Sequence, residues 1–161
     1  MQDIGFIAIV LGQYDRAKSL LQDCLVLCQE IGVYSIISGV LSGLGRVARR
    51  QSDYEQAAKF FADSMQLARK YELPGMMAWN LVSLAELAAL RHQSRKAARL
   101  LGKANAIPEL YIDLFAYARL ELEQIASMIR DGLDEETFNM EQEAGRQMTL
   151  DEAIAYALKG D

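Results

Sequence analysis

A segment that recurs every 40 residues constrains the fold of this chain more than any other feature of its sequence. The stretches LGQYDRAKSLLQ, RQSDYEQAAKFFA and LRHQSRKAARLLG align at that spacing, with small and large residues at matching places. The matching sets are Gly5, Gly45 and Ala85; Tyr14, Tyr54 and Ser94; Ala17, Ala57 and Ala97; and Leu21, Phe61 and Leu101. A fixed period of this length is typical of stacked repeats, in which each unit buries its apolar face against its neighbours.

The apolar positions inside each repeat follow the spacing of paired α-helices. Leu41, Leu44 and Ala48 form one stripe, and Ala57 and Phe61 begin another after the turn QSD. The pattern predicts helices near residues 2–11, 14–32, 34–50, 54–72, 74–91 and 94–106.

This arrangement resembles the tetratricopeptide repeat. Leu41, Leu44, Gly45, Ala57 and Phe61 stand at the spacing of that motif. The family's period is about 34 residues, so we expect the longer period here to reflect longer helices. The resemblance implies an all-α fold, a right-handed α-solenoid of about three tetratricopeptide-like helix pairs with a C-terminal helical cap. The pairs cover residues 1–33, 34–73 and 74–106, approximately.

Residues 107–161 depart from the repeat and predict the helical cap, which we place in the same domain as residues 1–106. Residues 111–134 have the pattern of one long helix that ends at Gly132. Its predicted inward side holds Leu114, Ala118, Leu122, Ile125 and Ile129. Asp134 is a candidate N-cap for a following helix, and Thr149 and Glu152 have the spacing of a capping box.

The C-terminal segment GRQMTLDEAIAYAL, residues 145–158, is similar to the end of bacterial STAND-type ATPases and LuxR-type transcriptional regulators. In those proteins a tetratricopeptide-like array senses a ligand or partner and restrains an N-terminal effector part. The resemblance implies a sensor module that binds a protein, a peptide or a ligand, with the effector part of its own parent chain as one candidate partner. The alternative is a free-standing scaffold or adaptor, and a small-molecule enzyme that uses the groove is a remoter one.

Composition and charge favour a soluble, cytoplasmic protein with no membrane or direct nucleic-acid partner. The chain is 52% hydrophobic, but its longest uncharged stretch, residues 31–45, is shorter than the 20 or so residues that a membrane span needs. Residues 1–106 carry 13 basic and 9 acidic side chains, whereas residues 107–161 carry 4 and 13. Nucleic-acid binding would require a dominant basic face.

No set of residues predicts catalysis, a metal or a cofactor. Cys24 and Cys28 are interpreted as reduced core residues, because a zinc site needs about four ligands and the only histidine, His92, is distant in sequence. His92 itself is expected to be a solvated turn residue.

Two further patterns are explained by helical structure. Gly43-x-Gly45-x-x-Ala48 is close to the dinucleotide fingerprint, but it lies inside a predicted helix and not at a strand-to-helix turn. Glu121 and Glu123 are expected to be exposed helix charges. We therefore predict that the chain is not an enzyme.

The first helix of each pair lines the concave groove of a tetratricopeptide array, and this register predicts a ligand-binding set. Its members are Arg46, Arg49, Trp79, Asn80, Ser83 and Glu86. A pair of guanidinium groups with amide and hydroxyl neighbours is suited to a peptide carboxylate or another polar ligand.

The first helix is apolar nearly all round, beyond what one partner helix can cover. The residues concerned are Ile4, Phe6, Ile7, Ile9 and Val10. Terminal repeats normally need a polar outer side, so this helix predicts a homodimer in which it packs against a second copy.

Overall fold

The computed structural model describes residues 2–111 and 116–159, and within them the chain is α-helical with no β-strand. The helices are α1 (Gln2–Val10), α2 (Tyr14–Ile31), α3 (Tyr34–Arg50), α4 (Tyr54–Lys70), α5 (Pro74–Leu90), α6 (Ser94–Asn105), α7 (Ala116–Asp131), α8 (Glu135–Gln147) and α9 (Leu150–Leu158), with a 3-10 turn at Pro108–Tyr111. The all-α prediction is confirmed. The bounds of the first six helices lie within two residues of those predicted from the repeat.

The five junctions from α1 to α6 are built in the same way, every 20 residues. Each has one residue in the left-handed conformation, and the next residue donates its N–H to the carbonyl five positions earlier. The left-handed residues are Gly12, Gly32, Ser52, Glu72 and His92. Such a bond is the mark of a Schellman turn, which satisfies the last carbonyls of a helix. Since α2 to α5 have 17 or 18 residues each, the longer helices account for the period of 40, as predicted.

The chain divides into two compact units, of which residues 1–76 form the first. There α1 packs against α2 and α3, while α3 also packs against α2 and α4. Helices α3 and α4 pack closely at Gly45, where an added Cβ would lie 2.6 Å from the ring of the fully buried Phe61. A side chain at position 45 would therefore displace this buried ring.

A pair of buried hydroxyls also joins α3 to α4. Ser64 Oγ donates to the carbonyl oxygen of Ser38 at 2.7 Å, and Ser38 Oγ lies 3.0 Å from the carbonyl oxygen of Ser64. The two hydroxyl oxygens are 3.1 Å apart. These bonds satisfy polar groups that would otherwise be costly to bury, and they fix the position of one helix along the other.

Residues 77–161 form the second unit, in which α6 contacts α7, α8 and α9. The α6–α8 crossing has no room for side chains at Gly102 or Gly145. A Cβ on Gly145 would overlap the carbonyl oxygen of Arg99, and one on Gly102 would overlap that of Gln142. The unit begins at residue 77, so it also contains residue 106, the predicted border between the repeats and the cap.

Both predicted N-terminal caps of the last helices are confirmed. Asp134 Oδ1 accepts from the Thr137 N–H at 2.8 Å at the start of α8. At the start of α9, Thr149 and Glu152 form the reciprocal bonds of a capping box.

The single long helix predicted over residues 111–134 is partly wrong. A 3-10 turn ends at Tyr111, α7 begins at Ala116, and residues 112–115, including Leu114, lie outside the described residues, as does the side chain of Ala118. Ile125 and Ile129 are buried as predicted. Glu121 is also buried, at 6% exposure, so its prediction as an exposed charge is wrong, whereas Glu123 is exposed.

Candidate binding surfaces

One side of α1 exposes a stripe of large apolar side chains. Ile4, Ile7 and Leu11 are spaced by three and four residues, which places them on one side of the helix, and each is at least half exposed. Val10 beside them is also exposed. Contiguous exposed apolar side chains on a folded unit mark an interaction site more often than isolated ones do.

The opposite side of α1 lies in the core of the first unit. Ala8 and Ile9 are buried with Leu21 of α2. Ile9 is only 4% exposed, so the predicted interface set is corrected at that position: this side chain is already covered within its own chain. Phe6 is partly buried, and the Arg46 guanidinium lies 4.9 Å from the centre of its ring.

Helix α2 also exposes apolar side chains, and it has 18 residues against nine in α1. A Cβ on Gly5 would touch Leu21, so α1 lies along the first part of α2 and leaves its second half beyond. Leu27 and Ile31 are exposed in that second half. We call the five side chains Ile4, Ile7, Leu11, Leu27 and Ile31 the α1–α2 apolar surface.

The predicted groove residues lie on α3 in the first unit and on α5 in the second, and none of them is fully exposed. Arg49, Asn80 and Ser83 are buried. The remaining three, Arg46, Trp79 and Glu86, are partly buried and keep some access to solvent. Sequence spacing placed these residues on common helix faces, but it could not show how deeply the neighbouring helices cover them.

The structure adds an ion pair that sequence analysis missed. Arg99 Nε of α6 donates to Glu141 Oε2 of α8 at 2.7 Å, and the Arg99 guanidinium lies 5.5 Å from the centre of the Tyr156 ring of α9. Glu141 is buried. Its position three residues after Phe138, on the inward side of α8, was the only sequence signal for its burial.

Within residues 2–111 and 116–159, no three or more His, Cys, Asp or Glu side chains are grouped so that they could hold a metal ion. His92 is exposed in a turn, as predicted. Gly43 and Gly45 lie inside α3, so the near match to the dinucleotide fingerprint is not a phosphate-binding loop. No helix in the described part of the chain is both long and apolar enough to span a membrane.

Helix pairs joined by identical turns, with a glycine at the crossing of one pair, define an α-helical repeat protein. Residues 1–70, which include α1 to α4, match the family model described as tetratricopeptide repeat. The match supports a tetratricopeptide-like array and indicates a protein–protein interaction module. Comparisons with curated proteins and with solved structures found no match.

Proposed function

We propose that this chain is a protein-binding module whose contact surface is the α1–α2 apolar surface. The observation that carries the proposal is the exposed stripe Ile4, Ile7 and Leu11 on a repeat unit whose family binds proteins. A stripe with this spacing fits the ridges of an apposed helix with apolar residues at the same intervals. Removing these side chains from water favours association, and this gain must exceed the entropy that the two partners lose.

The proposed occupant of this surface is a second copy of the chain. The first unit carries eight basic and eight acidic side chains, so two copies meet there without net repulsion. A two-fold axis beside α1 would set the same stripe against itself, which is the commonest form of homodimer contact.

Native mass spectrometry and light scattering at tens of micromolar test this proposal. We expect a mass of twice 18.0 kDa for the unmodified chain. Ile7→Glu should give a monomer with unchanged helicity, because Ile7 is 55% exposed and its replacement leaves the core intact. The control Lys18→Glu, at an exposed polar site on α2, should remain a dimer. An unmodified chain that is monomeric throughout this range contradicts the proposal.

We also propose that Arg46, on α3 of the first unit, contributes to binding of a peptide or polar ligand. The support is the position of Arg46 on α3, the first helix of its pair, with its guanidinium placed over an aromatic ring. A peptide partner found by affinity selection should bind at least tenfold more weakly to the Arg46→Ala variant. Unchanged affinity, with unchanged helicity, would exclude a role for this side chain.

The biological setting that we propose is the sensing end of a bacterial, cytoplasmic signalling or transcription regulator. Its support is the likeness of residues 145–158 to the end of such proteins. Sequencing of the native transcript tests it. An open reading frame that continues upstream into an ATPase or DNA-binding part would support the proposal, and one limited to these residues would favour the scaffold alternative.

A further inference from the structure

We propose that Cys24 and Cys28 form a site for one thiophilic d10 metal ion that favours two ligands, such as Hg(II), Ag(I) or Cu(I). The two sulfur atoms lie 3.8 Å apart on the inward side of α2. Soft thiolate ligands select soft ions. This inference concerns a different chemistry from the proposed protein binding and does not depend on it.

The spacing of the two cysteines suits a bridging atom better than a direct sulfur–sulfur bond. Residues four apart on a helix have Cβ atoms about 5–6 Å apart, whereas a disulfide needs about 3.5–4.5 Å. A disulfide would therefore distort α2, which is continuous from Tyr14 to Ile31. A metal with bonds of about 2.3 Å, as for zinc and thiolate, spans 3.8 Å when bent and about 4.6 Å when linear. Small side-chain rotations cover that range.

The surroundings of the pair favour an ion that needs few ligands and carries little net charge once bound. Cys24 and Cys28 are 5% and 8% exposed, and they belong to a core cluster with Leu21, Ile37 and Val40. The buried side chains of this cluster carry no oxygen or nitrogen that could complete a tetrahedral or octahedral shell. Burying a net charge there is costly.

The charge balance of the binding reaction determines which of the soft ions binds most tightly. Each thiol loses its proton to solvent and forms one metal–sulfur bond, so two protons are released for each ion. A divalent ion with two thiolates is neutral, whereas a monovalent ion leaves one negative charge in the core. We therefore expect Hg(II) to bind more tightly than Ag(I). Cys28 lies in the last turn of α2, where fraying of the helix end gives the ion an entry path.

The test uses the reduced full-length chain with mercuric chloride, followed by native mass spectrometry. We expect one mercury atom per chain, with the loss of two protons and no retained chloride, and with unchanged helicity. The ion should stay bound in an excess of glutathione that removes it at least tenfold more readily from Cys24→Ser or Cys28→Ser. Each of these single variants should bind mercury with one chloride retained and one proton lost.

A variant with two cysteines at a different spacing distinguishes one ion bound by both sulfur atoms from independent reaction of each thiol with mercury. Cys28→Ser combined with Gln29→Cys keeps the cysteine count but turns the second thiol away from the first, since Gln29 is exposed. It should not form the chloride-free species. Two mercury atoms on the unmodified chain, each with a chloride, would overturn the proposal. Equal loss of the ion to glutathione from the unmodified chain and the single variants would also overturn it.

Discussion

At the scale of single residues, each junction between α1 and α6 requires the left-handed conformation at one position. Gly12 and Gly32 adopt the left-handed conformation at little cost, because glycine has no Cβ to clash. Ser52, Glu72 and His92 adopt it with φ of 65°, 52° and 61°. For residues with a side chain this conformation costs about 1–2 kcal/mol. Three of the five turns therefore hold local strain, which the packing of the adjoining helices must offset.

Replacing His92 by glycine should stabilise the protein by about 0.5–1 kcal/mol, because the strain is relieved while little else is lost from an exposed turn. Urea denaturation followed by circular dichroism measures the free energy of unfolding. His92→Ala is the matched control, since it removes the imidazole but keeps the Cβ. Equal stability of the glycine and alanine variants would show that the backbone conformation is not the cause.

Gly145→Ala should destabilise the second unit by about 2 kcal/mol or more. The added Cβ would overlap the Arg99 carbonyl oxygen, and its carbonyl carbon would be 2.8 Å away, so helix backbone and not a flexible side chain has to move. Thermal unfolding gives the measurement. Gln147→Ala, an exposed change on the same helix, should have little effect. A loss for Gly145→Ala no greater than for Gln147→Ala would contradict close contact at this crossing.

The structural role of a residue was predictable where the same residue type recurs at the same position of two or more repeats. Gly45 and Phe61 stand at the spacing of a known motif, and the structure brings them into contact. The burial of Glu121 and Glu141 was not predictable from the sequence. A single acidic residue in a helix does not indicate which side chains the other helices will place beside it. For the predicted groove residues, helix spacing indicates a common face, but how deeply that face is covered depends on the neighbouring helices.

At the scale of helices, the last two are fixed by charged or polar caps and by α6. Lys96 Nζ and Lys103 Nζ of α6 donate to the carbonyl oxygens of Lys159 and Met148, at 2.8 and 2.7 Å, so the two bonds hold both ends of α9. The caps on α8 and α9 were predictable because they are local in sequence. The lysine contacts were not predictable, because they join residues 45 or more positions apart.

The caps predict a pH dependence for α8 and α9. Hydrogen bonds from the Thr137 hydroxyl and N–H hold the pKa of Asp134 below its ordinary 3.8. Bonds from the Thr149 N–H and hydroxyl hold the pKa of Glu152 below 4.5. Since folding lowers both pKa values, the stabilisation is present above the ordinary values and is lost as the pH falls through the lower folded-state values.

Thermal unfolding of the unmodified chain and of Asp134→Asn, Glu152→Gln, at pH 7 and at pH 3, measures this dependence. The double variant should be less stable at pH 7, and the difference between the two proteins should shrink at pH 3. Glu135→Gln combined with Glu136→Gln removes two exposed carboxylates from the first turn of α8 and serves as a charge control. A difference that stays constant with pH would contradict the role of the caps.

At the scale of the whole molecule, charge and apolar exposure are unevenly distributed. The first unit has equal numbers of acidic and basic side chains, so the net charge of −5 belongs to residues 77–161. The α1–α2 apolar surface lies in the neutral unit. Fold class and helix bounds were predictable at this scale because one pattern is repeated. The division between residues 76 and 77 was not predictable, because no stretch with the composition of a linker lies there.

The proposed dimer should therefore resist salt. Apolar contacts between neutral units do not weaken when charges are screened, so the dissociation constant should change less than about threefold between 50 mM and 500 mM sodium chloride. Analytical ultracentrifugation at both concentrations gives the comparison. A dissociation constant that rises tenfold or more with salt would mean that ion pairs, and not the α1–α2 apolar surface, hold the copies together.

The identical turns at intervals of 20 residues bear on how such a chain can change its length through evolution. Duplication or deletion of a 40-residue block that begins at Gly12, Gly32 or Ser52 joins one left-handed corner to another of similar backbone geometry. The backbone of the new junction therefore already suits the turn. This is a physical reason why such an architecture can gain or lose whole helix pairs by single duplications or deletions.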